Sequence, residues 1–477
     1  MIPVHTPFFD GLTLHDHNSP RSLHVPGHKN GRILPEIGRD YFGKIALIDQ
    51  TELTGLDDLH EPEGIIQEAE TMLAALYGAK ASFFLVGGST SGNLAMMHTV
   101  SQHGGRVLVQ RNSHQSVFHA LELFDIDPVY IEPESDPGTG LSLGVNPLEL
   151  SSALRTENGI SAVFLTNPTY EGYGQPLEEH VRIAHEAGAV VCVDEAHGAH
   201  LIPGASFGPE SAVAAGADAV VQSAHKSLPA LTMGAWLHVN GDSAMQEGIR
   251  RSLKMLQSSS PSYPLLASLD LARAFAASFE AGDWASLLSD CQHTHARLRD
   301  QGCPLAPDTI GVYTRDPVKL PFIAGAGDDP AFWARQLEAA GWFPEMATAN
   351  HLLAVLPIQG PFTEEEQALA AVVKSGQVPK SRGPATKSPA VSAPAERFSA
   401  LRHKPAERTS WTKAAGKTAA ETIIPYPPGI PLVIKGERIT EKHLEAFRQG
   451  NEPENRCQRG LASYASGVLT IAEKGAE

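Results

Sequence analysis

The sequence predicts an α/β protein: a large domain built on a mostly parallel sheet, a smaller α+β domain after it, and a C-terminal segment beyond a disordered linker. Three observations predict it. Short apolar runs alternate with helical periods from residue 60 to 240, the rhythm of a parallel sheet covered on both faces. Polar residues able to do chemistry recur just past those runs, where open α/β sheets gather their sites. After residue 373, Pro, Ala, Ser, Lys and Arg displace the periodic pattern.

Taken in order, residues 63–77 carry Ile66, Ala69, Leu73, Leu76 and Tyr77 at helical spacing and stop at Gly78, which suits the left-handed turn after a helix. Residues 83–86 read as a short buried strand, and Gly87-Gly88-Ser89-Thr90 opens the next helix. Further strands are expected at 107–110, 162–166, 190–194 and 219–223, with helices near 114–124 and 177–187. Ser89, Asn112 to His114, Asn167, Asp194 and Ser223 then fall at strand ends. Later, 311–314, 331–340 and 352–356 read as strand, helix and strand, and 364–373 as a last helix capped by Thr363. The expected domains are 1–300, 301–373, a linker over 374–420 and a C-terminal segment over 421–477. The linker holds ten Lys/Arg against two Glu and reads as a solvated tether.

The 477 residues carry a net charge of −17, which argues against a general nucleic-acid binder. A hydrophobic content of 42 % is ample for a packed core. No run approaches the ~18 apolar residues of a membrane helix, and the N-terminus lacks the basic and apolar regions of a leader. Cys192, Cys291, Cys303 and Cys457 form no CxxC pair and read as reduced thiols of a cytoplasmic protein.

Gly88-Ser89-Thr90-Ser91-Gly92-Asn93 lies between a strand and a helix. Backbone N–H groups at the helix start, the macrodipole and the hydroxyls of Ser89, Thr90 and Ser91 make a phosphate cradle. A polar capped turn is the alternative. No Lys follows the glycines, so this is not a nucleoside-triphosphate loop. Residues 193–197 spell the DEAH letters of a helicase family, but the GxxxxGK[ST] loop it needs is missing. Asp194 instead ends a buried strand, where a carboxylate can keep a heterocyclic nitrogen protonated; a structural cap is the alternative. Lys226, 32 residues beyond Asp194, stands at another strand end in Ser223-Ala224-His225-Lys226. There it can serve as an amine nucleophile for a Schiff base, or be an ordinary surface lysine. Phosphate cradle, pyridine-binding Asp and Schiff-base Lys, in that order, are expected of a pyridoxal phosphate enzyme of the aspartate-aminotransferase fold (fold type I). His197 and His200 form an HxxH pair without further ligands at matching spacing, so no metal site is expected.

On these stretches and others the chain resembles the Orn/Lys/Arg decarboxylase family, in a short form without the N-terminal wing domain. The resemblance rests on His24-Val-Pro-Gly-His28-Lys29, residues 51–59 with Asp57 and Asp58, Gly87 to Asn93, Arg111-Asn-Ser-His114, Val193 to His200, Ser223 to Lys226, Ser260 to Asp270 and Tyr426 to Pro431. It implies a pyridoxal 5′-phosphate decarboxylase of arginine, lysine or ornithine, making agmatine, cadaverine or putrescine in polyamine metabolism. Lys226 would carry the covalent link and Asp194 would pair with the pyridinium nitrogen. His114 would stack on one ring face and Ala196 would pack under the other. Ser89, Thr90, Ser91, Ser223 and His225 would surround the phosphate, and Ser258 would reach the phosphate of a partner subunit. The resemblance thus implies a homodimer or higher homo-oligomer with shared sites. Lys226 or a nearby His would donate the proton that completes the reaction. Asp57 and Asp58 suit either the cationic end of the substrate or a capped loop. Gln115 departs from the family, which has Lys after the stacking His. The rival readings are an aminotransferase or other lyase on the same fold, and a non-catalytic regulator; the intact Lys226, Asp194 and His114 argue against the last.

Overall fold

The computed structural model describes residues 5–374, 391–394, 396–425, 429–450 and 464–472. It divides into two compact units. Met1–Thr99, Cys192–Ser206 and Glu210–Trp284 form the first; Val100–Val191, Phe207–Pro209 and Ala285–Glu477 form the second. Strands β1 to β8 span Ala81–Leu85, Arg106–Gln110, Pro128–Ile131, Ile160–Thr166, Tyr173–Gly174, Val190–Asp194, Ala219–Gln222 and Ala235–Val239. β1, β6, β7 and β8 make the sheet of the first unit, and β2, β3 and β4 with Val391–Ser392 that of the second.

In the first unit the order is β1-β8-β7-β6. β6 and β7 run parallel, while β8 is antiparallel to both its neighbours. In the second unit β2 lies between β3 and β4, all parallel, and Val391–Ser392 pairs antiparallel with β3. The five strands expected from apolar runs are present within two residues of their expected ends. β3 and β8 were not expected. β3 opens on Pro128, tolerated only because the first residue of a strand need not donate, and β8 carries His238 one residue from its end. The helices Ile65–Tyr77, Gly88–Ser101, Gln115–Leu123 and Leu177–Glu186 follow the sequence reading. Gly78 takes the left-handed conformation (φ 69°) that ends the first of them.

Farther along, Lys319–Ile323, His351–Val355 and Met346–Ala347 make a small antiparallel sheet, accompanied by the helices Pro330–Ala339 and Thr363–Val372. The strand expected at 311–314 is Tyr313–Arg315, which pairs instead with β5 and Thr309–Ile310. Thr363 is the first residue of its helix and not the cap; Phe362 holds the cap position without a side-chain bond. Within 374–420, residues 375–390 and 395 lie outside the described residues. Phe398–Leu401, Ala406–Thr409 and Trp411–Ala414 form helix, strand and helix. Trp411, Ala414 and Ala419 join Ile423, Val433, Ile439, Leu444, Phe447 and Val468 in one core, in which Trp411 stacks on Phe447 at 3.9 Å. These apolar residues are too widely spaced to register as a period, which is why the stretch reads as a linker.

Two buried carboxylates of the first unit, Asp270 and Glu70, carry predictions for stability. Asp270, in Tyr263–Ala277, pairs with Arg273 at 2.7 Å; the side chains are 0 % and 1 % exposed. Asp270 also accepts the Phe8 and Phe9 N–H groups, which ties helix Pro7–His17 down. Asp270→Ala would strand a buried guanidinium, so a loss of about 3–5 kcal/mol is expected in urea unfolding. A change under 1 kcal/mol would show that the pair is dispensable.

Glu70 accepts the Phe84 N–H at 2.9 Å. Burial pushes its carboxyl up to about 8 from 4.5, against the Phe84 bond and the Arg250 charge. The folded state therefore prefers the neutral acid. That contribution is fully present below pH 4.5 and is lost as pH rises through about 8. The melting-temperature difference between Glu70→Gln and wild type should shift in the variant's favour from about pH 5 to about pH 9. A constant difference would contradict it.

Candidate active site

β6 and β7 are adjacent parallel strands in the first unit, with Asp194 opposite Val221. Asp194 is 3 % exposed and both its oxygens are used: Oδ2 accepts Asn93 Nδ2 at 2.8 Å and Oδ1 accepts the Ala196 N–H at 3.1 Å. Asn93 reaches it because Gly92 lets helix Gly88–Ser101 sit close on the sheet. A Cβ at Gly92 would lie 2.4 Å from Val221 Cγ2 and 2.9 Å from Leu85 Cδ1. The Ala196 carbonyl accepts the Ser223 N–H at 3.3 Å, which stitches the end of β6 to the turn after β7.

That segment is the one-turn helix Ala224–Ser227, which holds His225 and Lys226 and has Ser223 at its N-cap. Ser223 is buried, and its Oγ has no hydrogen-bond partner among the described residues. His225 Nδ1 lies 2.9 Å from the Gly234 carbonyl, which can only accept, so Nδ1 carries the proton. Burial pushes this imidazole below its usual value, opposed by the Gly234 bond and aided by the Lys226 charge, so it is neutral at pH 7. Lys226 is exposed, with Nζ 3.0 Å from His197 Nε2. One proton is shared there, donated by the ammonium to a neutral ring or by Nε2–H to the amine.

Of the three cradle hydroxyls, Ser91 is buried and spends its proton on the Gly88 carbonyl at 2.8 Å. Ser89 is half-buried and Thr90 exposed at the start of the helix. Ser258 is exposed; its Oγ donates to the Ser260 carbonyl at 3.3 Å and its carbonyl meets His60 Nε2 at 2.8 Å. Asp57 proves to be a loop anchor. It accepts N–H groups from Asp58, Glu63, Gly64 and Ile66 at 2.8–3.0 Å. Burial pushes its carboxyl up, but those donors outweigh burial and leave it below its usual value. Asp58 accepts the His60 N–H at 2.8 Å.

His114 belongs to the second unit, in the turn after β2. It is the N-cap of Gln115–Leu123, its Nδ1 accepting the Ser116 N–H at 3.3 Å, so Nε2 carries the proton of the neutral ring. In the same unit Ser113 Oγ meets Thr166 Oγ1 at 3.0 Å, and Asn167 Oδ1 accepts the Gln175 N–H at 2.8 Å. These strand-end residues hold the loops together.

Sequence reasoning missed two things. His197 was weighed as half of an HxxH metal pair, whereas it faces Lys226, and no group of three or more His, Cys, Asp or Glu converges among the described residues. Its spacing of three from Asp194 at a strand end was the available signal. Glu195 serves the core: it accepts Ala212 N–H and Gln222 Nε2, both at 2.7 Å. Gln222 Oε1 in turn accepts Trp236 Nε1 at 2.7 Å and lies 3.1 Å from His238 Nε2. Burial pushes His238 down to about 3, so this network stays neutral on the histidine side.

The chain matches the Orn/Lys/Arg decarboxylase major domain over residues 6–310 and the C-terminal domain of the same family over 384–475. It is 39 % identical to the uncharacterized protein YaaO of Bacillus subtilis, over 99 % of this chain and 98 % of that one. It is 31 % identical to an arginine decarboxylase of Bacillus anthracis, over 94 % and 93 % respectively. Lysine decarboxylase A from Pseudomonas aeruginosa superposes with TM-score 0.77 at 21 % identity, covering 98 % of this chain and 80 % of that one. A structure of SPT with PLP gives 0.53 at 19 %, over 71 % and 81 %. At these identities the two structures speak to fold alone, and that fold is one that houses pyridoxal phosphate in SPT.

Proposed function

The chain belongs to the Orn/Lys/Arg decarboxylase family, and on that premise we propose that it decarboxylates arginine, lysine or ornithine to agmatine, cadaverine or putrescine, using pyridoxal 5′-phosphate. The observation that carries this reading is the unspent, buried Ser223 Oγ in the same segment as Lys226, after β7, with Asp194 on the adjacent parallel strand. A buried hydroxyl left unpaired costs about 1–3 kcal/mol, and a phosphate oxygen would satisfy it.

The residues fit the coenzyme. Ser89, Thr90 and Ser223 would donate to its phosphate, with His225 and the Ser91-braced turn beside them. Ala196 would take one ring face, while the stacking role of His114 comes from the family resemblance alone. Asp194 would hold the ring-nitrogen proton, and Asn93 and the Ala196 N–H keep its carboxylate from turning. The coenzyme, when bound, supplies the electron sink that accepts the pair released as the bond to the substrate carboxylate breaks. Lys226 Nζ, in contact with His197 Nε2, would deliver the proton that replaces the carboxylate at the α-carbon.

The test is carbon dioxide release from arginine, lysine and ornithine, measured side by side with the matching amine. Release from at least one, with equal amine, is expected. Amino-group transfer to an oxo acid without carbon dioxide would favour the aminotransferase reading.

A second copy of the chain is the proposed partner. Leu23, Ile37 and Tyr41 are 100 %, 94 % and 80 % exposed on the N-terminal arm, apolar side chains that a partner subunit would cover. Ser258 would then serve the partner's site. Inactive Lys226 and Ser258 variants, unfolded together and refolded, should regain about a quarter of the sites, because half the dimers are mixed and each mixed dimer has one intact site. No recovery despite confirmed exchange would exclude shared sites.

A further inference from the structure

Arg111 stands three residues before His114, and its buried guanidinium is committed to the far end of the chain. Nε and Nη2 grip Glu437 Oε1 and Oε2 at 3.1 and 3.0 Å. Nη1 donates to the Pro431 carbonyl at 2.8 Å and Nη2 to that of Leu432 at 3.3 Å. The guanidinium also lies 5.8 Å from the centroid of the Phe118 ring, on the helix that His114 caps. Glu437 Oε2 accepts the Ile434 N–H at 2.8 Å, which braces the segment that carries it.

The same segment holds that helix at both ends. The Gly429 carbonyl accepts the N–H of Gln115, the residue next to His114, at 2.9 Å. Lys435 Nζ donates to Glu122 Oε1 at 2.6 Å, near the other end. A bidentate pair of this kind fixes direction as well as distance. Residues 429–437 thus grip the helix Gln115–Leu123 at two points and Arg111, just before it, at a third, and His114 turns with that helix because its Nδ1 is bonded to Ser116 N–H.

We propose that the Arg111–Glu437 clasp is the positioning device for His114, so that the C-terminal segment sets the attitude of the coenzyme-facing ring. The inference rests on the reading of the chain as a pyridoxal phosphate decarboxylase. Arg111 and Glu437 are positioning residues; they act through His114.

Glu437→Gln keeps size and removes the charge. Arg111→Lys keeps the charge and removes the fork, and it replaces Glu437→Gln if that variant does not fold. The readouts are visible circular dichroism of the bound coenzyme and the rate of coenzyme loss on dilution. His114→Ala and either clasp variant should each weaken the dichroism and speed coenzyme loss by about tenfold. Adding the clasp change to His114→Ala should alter neither readout by more than about twofold, because the clasp would have nothing left to position. Effects that multiply in the double variant would overturn the proposal, since the clasp would then act without His114. Unchanged dichroism in Glu437→Gln would overturn it too, while leaving the parent reading intact. A wild-type chain with no visible coenzyme band would overturn the parent reading, and the clasp proposal with it.

Discussion

Lys226→Ala is expected to abolish covalent coenzyme attachment and to lower turnover at least about 1000-fold, roughly 4 kcal/mol in the barrier. The fold should survive, because the side chain is exposed and fills no core. Borohydride reduction followed by mass measurement reads the first effect: wild type should gain the mass of the coenzyme at Lys226 and the variant none. Thermal melting reads the second point and should stay within a few degrees of wild type. Loss of His197's partner adds a specific expectation, since the proton shared at 3.0 Å disappears with the amine. Added small primary amines should restore some turnover by supplying that group. Purified variant working at the wild-type rate would end the assignment.

Asp194→Asn is expected to cost at least about 100-fold in turnover, close to 3 kcal/mol. Charge is one reason: an amide cannot hold a ring-nitrogen proton as a carboxylate does. Local bonding is the other. Both Asp194 oxygens accept, one from Asn93 Nδ2 and one from the Ala196 N–H. An amide offers a single oxygen, so its own N–H₂ must face a donor. Coenzyme should still bind through its phosphate, which separates this variant from one that has lost the site. Turnover per bound coenzyme is therefore the quantity to measure. Near-normal values would show that another carboxylate does the work.

Several site features were legible in advance. The Asp194 position follows from an apolar run that ends in a carboxylate, and the run is β6. The glycines at 87, 88 and 92 marked a turn into a helix, and the close approach at Gly92 gives the reason. Lys226 and His114 sit at strand ends for the same reason, in separate compact units. Other features were not legible. Asp57 looked as suited to a cationic ligand as to a cap, and four backbone N–H groups decide for the cap. Ser91 looked like a phosphate ligand equal to Ser89, but its proton goes to Gly88. In the DEAH letters, Asp194 faces Asn93, Glu195 faces the core and His197 faces Lys226.

By itself the sequence determined five strands of the first 240 residues, the helices between them and the residue types at their ends, but not β3, β8 or the elements within 374–420. Those properties are local, set within a few residues by periodicity, turn chemistry and side-chain type. Only the tertiary structure decided what each polar atom bonds to. The Asn93–Asp194 contact joins residues 101 apart, and the Arg111–Glu437 clasp joins residues 326 apart. Pairings at that separation leave no period in the sequence, because a buried donor takes whichever acceptor the packed elements bring within reach.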